Sequence, residues 1–180
     1  LHSSLPEHNS GYTCRSQGIL SSMHSNTWKV IPCTRLGYPW NLNDFRGKPI
    51  IDMETVDGID YYRLFQNGVA QYELSTIEYV NRYSDAIVEQ AKLHRPSIIH
   101  AASNHLNGLA AASAARRLRI NYIYEVRGFW EVTRVSRQPE WEESEAFKLY
   151  KFLEIEAAKS ADIVLTLTNG MKNELILRGI

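Results

Sequence analysis

His100, Ser103, Asn104 and His105 form one polar cluster, and Glu125, Arg127, Trp130 and Glu131 form a second; each follows directly on a short apolar run. A histidine in such a place can orient a sugar hydroxyl or move a proton near neutral pH. An arginine can grip phosphate or carboxylate through its planar fork, and an indole can stack on a ring. Gly128, between Arg127 and Trp130, permits a sharp turn. The same residues admit plainer readings: hydrogen-bonded core histidines, an internal Glu–Arg pair, and Trp130 as a hydrophobic plug. No third ligand sits at useful spacing from His100 and His105, so the chain does not read as a zinc protein and no metal is expected.

The elements that must position these residues follow from hydrophobic patterning. Segment 97–131, SIIHAASNHLNGLAAASAARRLRINYIYEVRGFWE, reads as buried strand, polar loop, helix, buried strand and polar loop. Apolar runs alternate with helical periodicity along the rest of the chain, the signature of βαβ units and a parallel sheet. In such a sheet, ligands bind outside the carboxyl ends of the strands, beside a topological switch point. Both polar clusters lie at such ends. The candidate strands are WKVIPC (28–33), PIIDMET (49–55), IDYYRL (59–64), SIIHA (97–101), YIYEV (122–126) and DIVLTLT (162–168). Asp57-Gly58, between the second and third, predicts a tight hairpin turn that interrupts the parallel rhythm.

The predicted helices span residues 12–23, 76–93, 106–118, 142–160 and 170–178. Ser75 and Glu78 have the Ser-x-x-Glu spacing of a capping box, and Pro96 closes the helix they start. The alanine-rich helix 106–118 is built for close packing on a sheet, with Arg116, Arg117 and Arg119 at its carboxyl end, where positive charge suits the helix dipole. Arg134, Arg137 and Trp141 extend the second polar loop toward helix 142–160, as an acceptor lid would. Gly179 reads as a C-cap of the last helix.

Composition limits the function classes. With 180 residues, 44% hydrophobic and 22% charged, and a formal net charge of zero, the chain can bury a real core and offers no electrostatic case for nucleic acid. It has no apolar run long enough to span a bilayer and no leader-like start. Cys14 and Cys33 lack CxxC spacing; reduced thiols are expected, although a disulfide between them stays open. Near the start, Asn9, Ser10 and Gly11 precede a helix, where backbone N–H groups can receive an anion such as a diphosphate; a simple turn is the alternative. Leu1 reads as the tail of a strand that has been cut away, and on that reading the chain is expected to be a fragment.

Taken in order, HSSLP…SGYTCRSQGIL, TRLGYPW, SIIHAASNHLNGLAAASAARRLRI, YIYEVRGFWE and ADIVLTLTNGMKNELILRG cover nearly the whole chain. Together they resemble the amino-terminal Rossmann-like domain of glycosyltransferase family 4, the retaining GT-B enzymes. The resemblance implies an α/β fold, a Rossmann-like three-layer sandwich with a mostly parallel sheet. This would be one half of a GT-B fold, with a β-hairpin insertion and a truncated first strand. Residues 1–180 would be the acceptor-side domain, with the carboxyl-terminal nucleotide-sugar domain lying outside them. It further implies a hexosyltransferase-type enzyme of polysaccharide biosynthesis, cytoplasmic, moving a sugar from a nucleotide-sugar donor to a glycan or lipid-linked acceptor without a cofactor.

By the same resemblance His100 matches the family's histidine at the end of the fourth core strand, near the transferred sugar, and is the expected catalytic residue. Ser10 and Gly11 match the glycine loop beside the donor diphosphate, with Asn-Ser-Gly here where many members have Gly-Gly. Ser103, Asn104, His105, Glu125, Arg127, Trp130 and Glu131 fall where the acceptor side faces the interdomain cleft, with Arg127-Gly128 where many members carry His-Gly. The family's basic pair for the diphosphate and its Glu-x7-Glu element have no counterpart here, so the isolated chain is expected to be inactive. Two other functions fit the same residues: a non-catalytic sugar- or nucleotide-binding module, and half of a nucleotide-sugar epimerase. Arg116, Arg117 and Arg119 with Lys148 and Lys151 could make a weak, peripheral membrane-surface contact, or be solvated helix charges.

Overall fold

A computed structural model describes residues 1–26, 28–49, 51–65 and 74–180. The chain divides into two compact units, Leu1–Arg95 and Pro96–Ile180.

In the first unit, helix α1 (Gly11–Ser25) is followed by an antiparallel hairpin, β1 (Met53–Val56) and β2 (Ile59–Tyr62), and then by helix α2 (Thr76–His94). The hairpin turns on Asp57 and Gly58 with φ of 48° and 78°, the double positive φ of the turn that Asp-Gly predicts. Ile50, within the predicted strand 49–55, lies outside the described residues. Strand 28–33 is a correction. Only Cys33 bridges, in parallel, to Tyr62, with flanking bonds from Tyr62 N to the Pro32 carbonyl and from Thr34 N to the Tyr62 carbonyl. Pro32 has no N–H to extend a ladder there. At the start of α2, Ser75 Oγ accepts from Glu78 N as its spacing predicts, while the Glu78 carboxylate pairs forward with Arg82 at 2.8 Å.

A buried ion cluster holds the segment that leads into α1. The side chain of Arg63 is wholly buried and donates to both oxygens of Glu7 at 2.9 Å, to Glu54 at 2.6 Å and to Ser4 Oγ. It thereby ties residues 4–7 to the hairpin. Burial, together with a hydrogen bond to Glu54, raises the pKa of Glu7.

In the second unit, β3 (Ile98–Ala102), β4 (Asn121–Val126) and β5 (Ile163–Thr166) form a parallel sheet in the order β3-β4-β5. Helix α3 (His105–Leu118) connects the first two strands. Helix α4 (Trp130–Val135), a 3-10 turn (Pro139–Glu143) and helix α5 (Glu145–Lys159) connect the second and third, and α6 (Asn169–Leu177) follows the sheet. The stretch expected to continue as a loop through Arg134 and Trp141 is thus helical, with Arg134 stacked 4.5 Å from the Trp141 ring centre. Alternation sorts the strands: Ala101, Tyr122, Tyr124 and Val126 join the alanines of α3 and Ala157 and Ala158 of α5 in the core, while Ile98, His100, Ile163 and Leu165 stay exposed.

One glycine decides how closely these layers meet. A Cβ on Gly108 would lie 2.7 Å from the Ala157 Cβ and 2.8 Å from a ring carbon of Tyr124, distances that real contacts do not reach. On an open helix face, glycine to alanine adds roughly 0.5–1 kcal/mol of stability by propensity alone. At Gly108 overpacking of about 1–3 kcal/mol outweighs that gain and reverses the sign. Gly108→Ala is therefore expected to lower the urea midpoint, and Gly18→Ala in α1, with nothing within 4 Å, to raise it. Unfolding followed by far-ultraviolet circular dichroism measures both.

Candidate functional site

The parallel register sets Ala102 of β3 opposite Glu125 of β4 and His100 opposite Ile123. His100 and Glu125 consequently project from the same sheet face one step apart along it, and the His100 Nε2 lies 3.4 Å from a Glu125 oxygen. Two residues further on, Arg127 turns to the same side, and its Nη2 donates to that oxygen at 2.8 Å. Glu125 is therefore a hub between a half-exposed imidazole and a guanidinium that is 8% exposed.

The backbone around this hub is pinned from both strand ends. Ser103 N donates to the Glu125 carbonyl at 2.9 Å, carrying the β3–β4 ladder beyond the last strand residue. The fully buried Ser103 Oγ then accepts from Arg127 N at 3.0 Å. Asn104 caps α3, its Oδ1 accepting from Leu106 N at 3.3 Å, and Asn107 Nδ2 donates to the Ala102 carbonyl at 2.9 Å. The polar residues read as one cluster thus divide their work. Ser103 and Asn104 shape the strand end, and His100 is the group left accessible.

Three other residues of the expected cleft set take different places. His105 is 5% exposed and lies between helices, its Nδ1 3.7 Å from Glu154 and its ring 5.2 Å from that of Tyr150. Glu154 in turn accepts from Tyr124 Oη at 2.6 Å. Glu131, 2% exposed, pairs at 2.7 Å with Arg178 rather than opening to solvent. Trp130 remains 41% exposed at the first turn of α4. Ser10 and Gly11 belong to the other unit. Ser10 caps α1 through reciprocal bonds with Thr13, and a Cβ on Gly11 would meet open space.

Glu154 and Arg178 were not among the sequence candidates. Arg178 had one local sign, its four-residue spacing from Glu174, which it meets at 2.7 Å; nothing in the linear pattern paired it with Glu131, 47 residues away. Among the described residues no group of three or more histidine, cysteine, aspartate or glutamate side chains is placed to hold a metal. Cys14 and Cys33 are both free thiols. No helix among the described residues is long and apolar enough to cross a membrane.

A parallel sheet flanked by helices, with polar groups collected where β3 and β4 end, is the Rossmann-like α/β arrangement found in GT-B glycosyltransferases. The family model of the glycosyl transferase 4-like domain matches residues 11–180, and the chain belongs to that family. No curated protein matches the sequence.

Burial alone would push the Glu125 carboxyl up, but hydrogen bonds and charge from His100 and Arg127 outweigh it and hold the pKa down at about 2. Because this folded value lies below the ordinary 4.5, the contribution to stability is complete above pH 4.5 and is lost as pH falls toward about 2. Glu125→Gln is expected to cost about 1.5–3 kcal/mol at neutral pH, the range for hydrogen bonds to charged groups. It should also flatten the stability profile between those two pH values. Urea midpoints of both proteins across that range test this.

Proposed function

We propose that the chain is the acceptor-side half of a retaining, nucleotide-sugar-dependent glycosyltransferase, and that His100 is its principal reactive-cleft group. The observation that carries the reading is the asymmetry of the His100–Glu125–Arg127 cluster: two members are buried and cross-bonded, and the third is left half-exposed at a strand end. The imidazole meets Glu125 through Nε2, so its other ring nitrogen is turned away from that carboxylate, which suits contact with a sugar hydroxyl. Arg127, held by Glu125 and by the bond from its own N–H to Ser103 Oγ, fixes the orientation of that carboxylate.

In this reading Trp130, exposed at the first turn of α4, offers a face on which an acceptor ring can stack. The acceptor is a glycan or a lipid-linked sugar of polysaccharide biosynthesis, met in the cytoplasm or peripherally at its membrane. Gripping a nucleoside diphosphate leaving group takes further cationic donors, which a second Rossmann-like domain supplies. Residues 1–180 alone are accordingly inactive.

The test is nucleotide release and product formation by the intact protein, assayed over a panel of UDP-, GDP- and dTDP-sugars. His100→Ala is expected to lower kcat by about 10²-fold or more, the scale of a lost orienting or proton-transferring group. Arg127→Ala should lower it less and be partly restored by lysine. Unchanged turnover in His100→Ala would remove the assignment.

A further inference from the structure

Helix α4 has six residues, too few to stand by propensity, and its N-cap Phe129 offers no side-chain acceptor. Arg178 makes two tertiary contacts around its first turn. Glu131 is 2% exposed and accepts from Arg178 Nη1 at 2.7 Å. The Arg178 guanidinium also lies 4.2 Å from the Phe129 ring centre. Arg178 Nε takes a second carboxylate, the half-exposed Glu174, at 2.7 Å. A single arginine at the end of α6 therefore clasps both residues that flank Trp130. On the other side of the turn, Arg127 N is fastened to Ser103 Oγ and its guanidinium to Glu125. Between the two fastenings lies Gly128, where an added Cβ would meet nothing.

We propose that Arg178 is a positioning residue for the 127–131 turn, acting through Glu131 and Phe129 to set where Trp130 is presented, and that Glu131 serves this clasp instead of contacting acceptor. The guanidinium is suited to the task in a way an ammonium is not. Its fork can meet Glu131 and Glu174 in fixed directions while its flat face stays on the phenyl ring. The bond to Glu131 is buried and the bond to Glu174 half-exposed, so the first carries the positioning and the second adds little. The structural claim stands apart from the transferase reading; only its kinetic consequence rests on that reading.

Hydrogen exchange by mass spectrometry on the intact protein separates the two. In Arg178→Ala and Glu131→Gln, amides 128–136 are expected to exchange about tenfold faster or more, while those of β3 and β4 keep their protection. Arg178→Lys should recover part of the difference and Glu174→Gln should leave it untouched. Where the panel of UDP-, GDP- and dTDP-sugars reveals turnover, Arg178→Ala is expected to raise the acceptor KM about tenfold with the donor KM unchanged. Unaltered exchange at 128–136, or an equal loss of protection in β3 and β4, overturns the proposal. Absence of turnover in the unsubstituted protein would count against the transferase reading alone, since the exchange result decides the clasp.

Discussion

The register between β3 and β4 is the constraint on which the site depends. A strand's side chains alternate with a period of two, so slipping the pairing by one residue would send His100 or Glu125 to the opposite face and break the cluster. The native register puts Ala102 against Glu125, and from that one pairing follow the His100–Glu125 contact, the alignment of Ser103 N with the Glu125 carbonyl and the bond from Arg127 N to Ser103 Oγ. Tyr122, Tyr124 and Val126 point the other way into the core, so their burial enforces the register that the polar residues need.

The core that enforces it is unusually tight in one place. Small residues on α3 let it approach both β4 and α5, and at Gly108 the approach is closer than any side chain allows. Around that contact sits a buried polar trio, Tyr124, Glu154 and His105, spanning strand, α5 and α3. A buried carboxylate is tolerable only if its lone pairs are met, and here the Tyr124 phenol donates to one oxygen while the His105 ring lies 3.7 Å from the other. A histidine whose neighbours in sequence point toward a strand end is thereby claimed by the helix layer behind it.

Charge is used in the same way elsewhere. Arg63 gathers Glu7 and Glu54 in the first unit, and Arg178 gathers Glu131 and Glu174 in the second. In both, a buried guanidinium joins segments far apart in sequence. Loops that carry function need such anchors because they lack the ladder that orders a strand.

Much of this architecture was legible in the linear pattern. Strands β3, β4 and β5, the helices that follow them, the Asp57-Gly58 hairpin and the caps at Ser75 and Gly179 rest on local signals: period, turn chemistry and capping residues. Strand 28–33 was misread because an apolar run does not reveal which partner its N–H groups will find, and Pro32 removes one of them. The linear pattern also placed His100, Ser103, Glu125 and Arg127 near the ends of adjacent strands, since strand ends are local features. It could not say that Glu131 would turn to Arg178, that His105 would turn to Glu154, or that Glu125 would bind its neighbours instead of standing open. Those choices were decided only by the tertiary structure, because a buried charge must find its partner wherever the packed chain brings one, and sequence distance does not measure that.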